Sequence, residues 1–365
     1  MDNVAMFMGA GFSTNAGLPT TKTVTDSFLS LNSSSSTPPT TQTAISDILK
    51  EFWRDIFGYE DGATTPSFED HFTLVDLAAN TGHNLGQHYT PARLRAIRRL
   101  SIHRVFDILN QSYRENRLMS SLLTKMAEGR NNAIISTNWD TVVENHLQHM
   151  PDTYSYRLNV RTIPKVSQPK PPTVEKRRGK MMLLKLHGSA NLAYCDSCRQ
   201  IFKISDGKGA LQTGVFLEFE DFKRLKKENT TIKEEIDGLG RPSCSLCGAL
   251  LSARVATFSY SKAFGYFQFQ AVWDAALRAL RKAKTWVFFG YSLPEADFQI
   301  RHLLKTAQIG RRKPANILVA LHSDSGRTAD NYRRFFGEQI RQSFIVESDG
   351  DQLLEAVTTA LENLG

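Results

Sequence analysis

The chain has 365 residues, of which 41% are hydrophobic, and this is enough to form a sizeable buried core. The length fits one large α/β domain with insertions, or two domains. The net charge of +8 is dispersed, and neither a DNA-reading zinc finger nor an aromatic RNA-binding motif accompanies it, so direct nucleic-acid binding is left open. There is no apolar run of about 18 residues and no secretory signal, so we expect a cytoplasmic protein that makes no membrane contact.

The first predicted element is a short apolar strand, Val4–Met8, which runs into the turn Gly9-Ala10-Gly11-Phe12-Ser13. A strand, a glycine-rich turn and a helix, in that order, are typical of the first unit of a dinucleotide-binding domain. The backbone N–H groups of such a turn can bind a pyrophosphate. A Gly-x-Gly turn is equally common as a simple tight connection, so the motif alone leaves both interpretations open.

A long helical segment is predicted next. Residues 32–43 are low in complexity and predict a flexible loop. From Ala44 to about Arg130 apolar residues recur every three or four positions, which predicts a helical insert. Glu69 and His71 lie within it, and the pattern does not decide whether they belong to a helical core or face a functional site.

Two further buried strands end in polar residues. Ala133–Thr137 precedes Asn138 and Asp140, and Met181–Leu186 precedes His187. In an open parallel sheet, ligands collect at the carboxyl ends of the strands. An imidazole can accept a proton from a sugar hydroxyl, and an amide can orient a water molecule or a ribose. Taken singly, Asn138 or Asp140 could instead cap the following helix, and His187 could be a hydrogen-bonded core residue.

All four cysteines occur in two Cys-x-x-Cys pairs, Cys195 with Cys198 and Cys244 with Cys247. This usage fits a reducing compartment and a metal better than a disulfide framework. Four thiolates at such spacing predict a tetrahedral Zn²⁺ site that is structural, because no coordination position stays open. The alternative is four unliganded thiols.

The rest of the chain alternates helices and strands, which predicts an α/β fold: a Rossmann-like parallel sheet with helices on both faces. The predicted elements are helix Val142–Gln148, an exposed connection over 163–180, helix Lys262–Lys284, strand Thr285–Phe289, a turn at Gly290–Pro294, helix Glu295–Gln308, strand Asn316–Leu321 and helix Gln352–Leu364. We expect a helical insert over 44–130, a small zinc-binding module over 190–250 and a return to the Rossmann-like core over 251–365.

Taken in order, these motifs resemble the sirtuin family over nearly the whole chain, as a single catalytic region spanning 1–365. The matching segments are Gly-Ala-Gly-x-Ser with Ala16-Gly17-Leu18-Pro19, Ser-Thr-Asn-Trp-Asp, His-Gly, the two cysteine pairs and Gly-Tyr-Ser-Leu, from Gly9 to about Ser323. The segments Leu186–Ser189 and Gly290–Asp297 are most similar to the divergent prokaryotic branch of sirtuin-like proteins. Many members of that branch consume NAD in antiphage defence.

The resemblance implies that NAD is bound as the substrate, and it assigns a role to each matched residue. Gly9, Ala10, Gly11 and Ser13 would line the pyrophosphate and the nicotinamide ribose. Asn138 would hold the attacking water or the ribose, Asp140 would lie near the carboxamide, and His187 would be the general base acting through a ribose hydroxyl. Gly290 and Ser292 would contact the adenosine half, and the residues around His322 and Ser323 would border the adenine.

Departures from the family favour water as the acceptor over an acyl-lysine. Pro19 is followed by Thr20-Thr21 where deacylating members have an aromatic residue and an arginine. Thr137 stands in place of the family's glutamine, and Trp139 in place of a smaller aliphatic residue. No Phe-Gly-Glu segment follows the second cysteine pair. The sequence therefore favours an NAD glycohydrolase that releases nicotinamide and ADP-ribose. An NAD-dependent protein deacylase or ADP-ribosyl transferase is one alternative, and a non-catalytic NAD or ADP-ribose sensor is another.

Control of such an activity is expected to come from assembly. The resemblance implies a homo-oligomer and pairing with a hexameric HerA-like ATPase of the DNA-translocase type. The arginine-rich stretch Arg93–Arg104 is the surface expected to make that contact. The alternative is that these arginines form solvated helix faces.

Overall fold

Two sheets organise the chain, which is represented by a computed structural model. The structure describes residues 1–29, 40–150, 153–158, 160–162, 181–204, 217–239, 242–253, 255, 257, 259, 267–295, 297–323, 328–337 and 345–364. The strands are β1 (Val4–Met8), β2 (Ala133–Ser136), β3 (Tyr154–Ser155), β4 (Val160–Thr162), β5 (Met181–Lys185), β6 (Leu192–Tyr194), β7 (Ile201–Lys203), β8 (Ser252–Ala253), β9 (Thr285–Phe289), β10 (Asn316–Leu321) and β11 (Ile345–Glu347).

The larger sheet has seven strands in the order β11-β10-β9-β1-β2-β5-β3, and every neighbouring pair is parallel. All five residues of the central strand β1 are buried, as are all residues of its neighbours β2 and β9, because helices cover both faces of the sheet. The predicted parallel sheet with helices on both faces is confirmed. Its register aligns Met8 with Ser136 and Phe289, so the turns that follow these strands share one edge.

The helices account for most of the remaining described residues. They are α1 (Ala10–Ser13), α2 (Thr21–Ser27), α3 (Thr41–Phe57), α4 (Phe68–Thr81), α5 (Pro91–Ser112), α6 (Arg117–Glu128), α7 (Val142–His146), α8 (Phe219–Arg224), α9 (Thr230–Leu239), α10 (Phe267–Lys282), α11 (Phe298–Ile309), α12 (Thr328–Phe336) and α13 (Gly350–Leu364), with a 3₁₀ turn at Thr14–Ala16. None of the described helices combines the length and the apolarity that a membrane span requires.

Some predicted boundaries shift. Helix α3 begins at Thr41, where the Thr40 side chain accepts a hydrogen bond from the Thr43 N–H, so the predicted loop was wrong for its last three residues. Three predicted segments lie outside the described residues: 32–39 of that loop, the connection 163–180, and residues 262–266 of the predicted helix. Helix α11 begins at Phe298, three residues later than predicted.

A second hydrophobic cluster lies beside the core of the sheet. It is formed mainly by α2 to α5 and also includes Phe222, Ile232 and Trp139. His71 is fully buried within this cluster: its Nδ1 accepts a 2.9 Å hydrogen bond from Trp53 Nε1, and its Nε2 lies 2.9 Å from Ser101 Oγ. Burial lowers the pKa of His71 to about 3, so the ring is neutral. His71 is therefore a residue of the helical core.

The arginines of α5 make contacts within the chain. Arg98 Nε donates to Asp76 at 2.7 Å, and Arg99 Nε donates to Asp221 of α8 at 2.7 Å. Arg104 is buried and donates to the Phe28 carbonyl at 3.1 Å. These side chains hold α5 to its neighbours, and the partner contact expected of this stretch stays a prediction.

Candidate active site

Two glycine turns touch at the carboxyl edge of the large sheet. The Gly11 N–H donates to the Gly290 carbonyl at 2.9 Å. A Cβ atom on Gly9 would lie 2.6 Å from the Gly290 oxygen, and one on Gly11 would lie 2.8 Å from the Gly290 Cα. Gly290 itself has a φ of 60°, a conformation that favours glycine. The glycines therefore let the turns after β1 and β9 pack directly against each other.

Ser13 connects the first turn to the polar residues after β2. Its hydroxyl donates to Asp140 Oδ2 at 2.7 Å and lies 3.0 Å from the Asn138 amide nitrogen, which donates to it. The Asn138 amide nitrogen also donates to the Gly9 carbonyl at 2.9 Å. Both amide hydrogens of Asn138 are thus engaged, and its carbonyl oxygen, which accepts no hydrogen bond from a residue that the structure describes, is available to a ligand.

Asp140 is buried, and both of its carboxylate oxygens accept hydrogen bonds. Oδ1 accepts from the Val142 N–H at 3.0 Å, and Oδ2 accepts from Ser13. Asp140 therefore orients Ser13 and also bonds to the first residue of α7, and its role towards the carboxamide of NAD stays a prediction.

His187 follows β5 in a tight turn. Gly188 has a φ of 85°, and the Leu186 carbonyl accepts a 3.2 Å hydrogen bond from Trp273 Nε1 of α10. These features hold the turn against the sheet edge. His187 is 7% exposed and lines the same cavity as Asn138 and Asp140.

A buried ion pair lies beneath these residues. Lys185 Nζ donates to the Asp140 carbonyl and lies 3.8 Å from Glu144 Oε1, and both side chains are almost fully buried. The Tyr156 hydroxyl donates to the same Glu144 oxygen at 2.9 Å, and burial raises the pKa of Tyr156 well above its usual value. Because the lysine ammonium is shared between Asp140 and Glu144, the backbone of the Asn138–Asp140 turn is fixed relative to β5.

The cavity at this edge has a volume of about 470 Å³, within the range of ligand sites. Of the predicted site residues, Ala10, Gly11, Ser13, Asn138, Asp140, His187, Gly290 and Ser292 line it. Gly9 and Ser323 are not among its described lining residues. On the side of the second hydrophobic cluster the lining includes Val24, Glu69, Val105, Leu109 and Trp139.

His322, expected together with Ser323 to border the adenine, is among the residues that line the cavity. Its Nε2 lies 2.7 Å from the Gly11 carbonyl and 2.9 Å from Thr14 Oγ1, and its Nδ1 lies 3.4 Å from Asp349. It therefore ties the end of β10 to the first glycine turn. The adjacent Ser323 donates its backbone N–H to Asp349 at 3.1 Å.

The four cysteine sulfurs lie within 4.8 Å of one another, and Cys195 Sγ is 3.4 Å from Cys247 Sγ. Zn–S bonds of about 2.3 Å in a tetrahedron place sulfurs about 3.8 Å apart, so the cluster fits one zinc ion. The N–H group of Cys198 donates to the Cys195 sulfur at 3.5 Å, and the N–H group of Leu246 donates to the Cys244 sulfur at 3.4 Å. This cluster borders the small sheet, whose strand order is β4-β7-β6-β8.

No family model matches the chain, and no curated protein matches it. The solved structures that resemble it include a Sir2 homologue mutant in complex with ADP-ribose (15% identity, 98% of this chain and 93% of that chain, TM-score 0.41). A second is described as the structural basis for the mechanism and regulation of Sir2 enzymes (15% identity, 99% of this chain and 92% of that chain, TM-score 0.36). A third is described as Sir2 with a p53 peptide and NAD⁺ (14% identity, 99% of this chain and 92% of that chain, TM-score 0.38).

Proposed function

We propose that this chain is an NAD glycohydrolase that cleaves the nicotinamide–ribose bond of NAD and releases nicotinamide and ADP-ribose. One observation carries the proposal: Ser13, Asn138, Asp140 and His187 line a single cavity with two glycine turns at the carboxyl edge of a parallel sheet. That edge is where open α/β sheets bind dinucleotides. The motif resemblance to sirtuins supports NAD as the substrate.

The side chains suit the bond to be broken. Nicotinamide leaves C1′ of the ribose through a transition state with oxocarbenium character, as in glycoside cleavage. His187 would accept a proton from a ribose hydroxyl, and the free carbonyl oxygen of Asn138 would orient the ribose or the attacking water. The Gly9 carbonyl and the Ser13 hydroxyl, which Asp140 orients, hold the Asn138 amide in place, so little reorganisation is needed when the substrate binds.

Product analysis tests the proposal. The purified chain is incubated with NAD, with and without an acyl-lysine peptide, and the products are separated by chromatography. Free ADP-ribose formed without peptide is the expected result. Acyl-ADP-ribose or modified protein in its place would identify a deacylase or a transferase, and intact NAD would identify a sensor.

We also propose that the activity serves prokaryotic antiphage defence by NAD depletion, in a homo-oligomer that acts with a hexameric HerA-like ATPase. The motif resemblance supports this proposal. Two exposed apolar side chains on α11, Phe298 and Ile309, offer a surface for self-association. Light scattering on the purified chain tests assembly, and a monomer fully active at micromolar concentration would contradict it.

A further inference from the structure

The cavity has three described carboxylates in its lining, and two of them are already engaged. Asp140 accepts hydrogen bonds on both oxygens, and Asp297 accepts one from the Tyr291 hydroxyl at 2.8 Å. Glu69 makes no hydrogen bond or ion pair with any residue that the structure describes, although it lines the cavity and is half-buried. An ionised carboxylate in such a place is stabilised by whatever donor enters the cavity.

Glu69 is held in position by the packing of α4. Phe72 lies three residues further along, on the same face of the helix, and is fully buried. The Phe72 ring stands edge-on to Trp139, with centroids 6.4 Å apart. Since Trp139 adjoins Asn138 in the chain, this contact brings the Glu69 face of α4 to the Asn138 turn. The lining on this side also includes the apolar residues Val24 and Leu109.

We infer that Glu69 is the general base for the attacking nucleophile and that it selects water as the acceptor; this rests on the proposed NAD cleavage. The C1′–N bond breaks with its electron pair going to nicotinamide. A water oxygen forms the new bond to C1′, and its proton passes to the Glu69 carboxylate and then to solvent. His187 accepts a ribose-hydroxyl proton as the C1′–N bond breaks and returns it to the same oxygen after water has added, so the two groups have separate tasks and one net proton is released.

The same carboxylate discriminates between acceptors. Water carries a proton that Glu69 can accept, and the developing positive charge on its oxygen is stabilised by the carboxylate. The carbonyl oxygen of an acyl-lysine carries no proton, so beside Glu69 two acceptors would face each other without a hydrogen between them. Glu69 thus favours hydrolysis over transfer to an amide.

The experiment compares wild type, Glu69→Gln and the control Asp70→Asn, which makes the same change on the adjacent, exposed residue. Two rates are measured with NAD and isotopically labelled nicotinamide: ADP-ribose formation, and incorporation of label into NAD. Label exchange breaks and re-forms the C1′–N bond without needing water. Glu69→Gln should lower hydrolysis about a hundredfold, the usual scale for losing a general base, and leave exchange at the wild-type rate. Asp70→Asn should change neither rate.

Two results would overturn the inference. Hydrolysis by folded Glu69→Gln at the wild-type rate would show that no proton is transferred to Glu69. An equal fall in hydrolysis and exchange would show that Glu69 acts in bond cleavage or NAD binding. Failure of the proposed function looks different, because the wild-type chain itself would then neither hydrolyse NAD nor exchange nicotinamide.

Discussion

The Ser13 hydroxyl donates a 2.7 Å hydrogen bond to Asp140, which lies 127 positions further along the chain. The bond joins the first helical turn after β1 to the turn after β2, and both partners are nearly inaccessible to solvent. Because Asn138 donates to the same hydroxyl, Ser13 is the shared partner of the two polar residues that follow β2.

Replacing Ser13 with alanine should lower NAD turnover by about tenfold to a hundredfold. The change leaves Asp140 Oδ2 and one Asn138 amide hydrogen without their described partner, so Asn138 is oriented less precisely. Steady-state rates and the melting temperature are measured together. Ser120→Ala is the matched control: this α6 hydroxyl is buried without a hydrogen bond to the described residues, so its loss should cost neither activity nor stability. Unchanged turnover in Ser13→Ala would refute the positioning role.

His187→Ala and Asn138→Ala should each lower NAD turnover at least about a hundredfold, the scale for losing a general base or a residue that positions the nucleophile. Both variants should stay folded, since each residue lies at a strand end, outside the apolar core. His83→Ala, at an exposed histidine, is the control. Normal turnover by a folded His187→Ala protein would remove the proposed catalytic role.

The buried strands and the turns at their ends were predictable from the sequence. Val4–Met8 is uniformly apolar, a pattern that fits a strand covered on both faces. Because β1, β2 and β5 are parallel neighbours, the residues that follow them lie at the same carboxyl edge of the sheet, and this does not depend on where the helices begin and end. The two- and three-residue strands β3, β4, β6 to β8 and β11 were missed because such short runs show no periodicity.

The direction of individual side chains was harder to predict. Glu69 and His71 both flank the apolar positions of α4, and only the packing of that helix decides that one faces the cavity and the other the core. After β10 the sequence analysis named both His322 and Ser323, and of these two His322 is the one among the described lining residues of the cavity. The side chains of neighbouring residues at the end of a strand point in opposite directions, so only one of two adjacent residues faces the cavity.

Cys195→Ser or Cys244→Ser should remove the single zinc ion expected per chain and destabilise the protein. A four-thiolate site ties two segments that are far apart in sequence, and its binding free energy contributes to folding. Elemental analysis and thermal unfolding with and without a chelator measure both effects. Ser245→Ala, an exposed position between the second pair of cysteines, should keep the metal and the melting temperature. Freshly purified wild-type protein without metal would rule out the zinc site.

Acidification should destabilise the fold through His71. Burial lowers the pKa of His71 to about 3 from the ordinary value of 6.5, so the unfolded chain binds a proton below pH 6.5 that the folded chain does not bind until about pH 3. The contribution of His71 to the free energy of unfolding is therefore fully present above pH 6.5. It falls by about 1.4 kcal/mol per pH unit as the pH drops below that value. Urea unfolding at pH 8, 6.5 and 5 measures the loss.

The matched variants are His71→Gln and, at an exposed histidine, His83→Gln. His71→Gln should be less stable than wild type at pH 8, because the contacts with Trp53 and Ser101 are weakened. Between pH 8 and pH 5, however, the free energy of unfolding of His71→Gln should fall by about 2 kcal/mol less than that of wild type, since the variant lacks the titrating ring. His83→Gln should lose as much as wild type. Equal losses in wild type and His71→Gln would show that His71 is not the group through which acid destabilises the helical core.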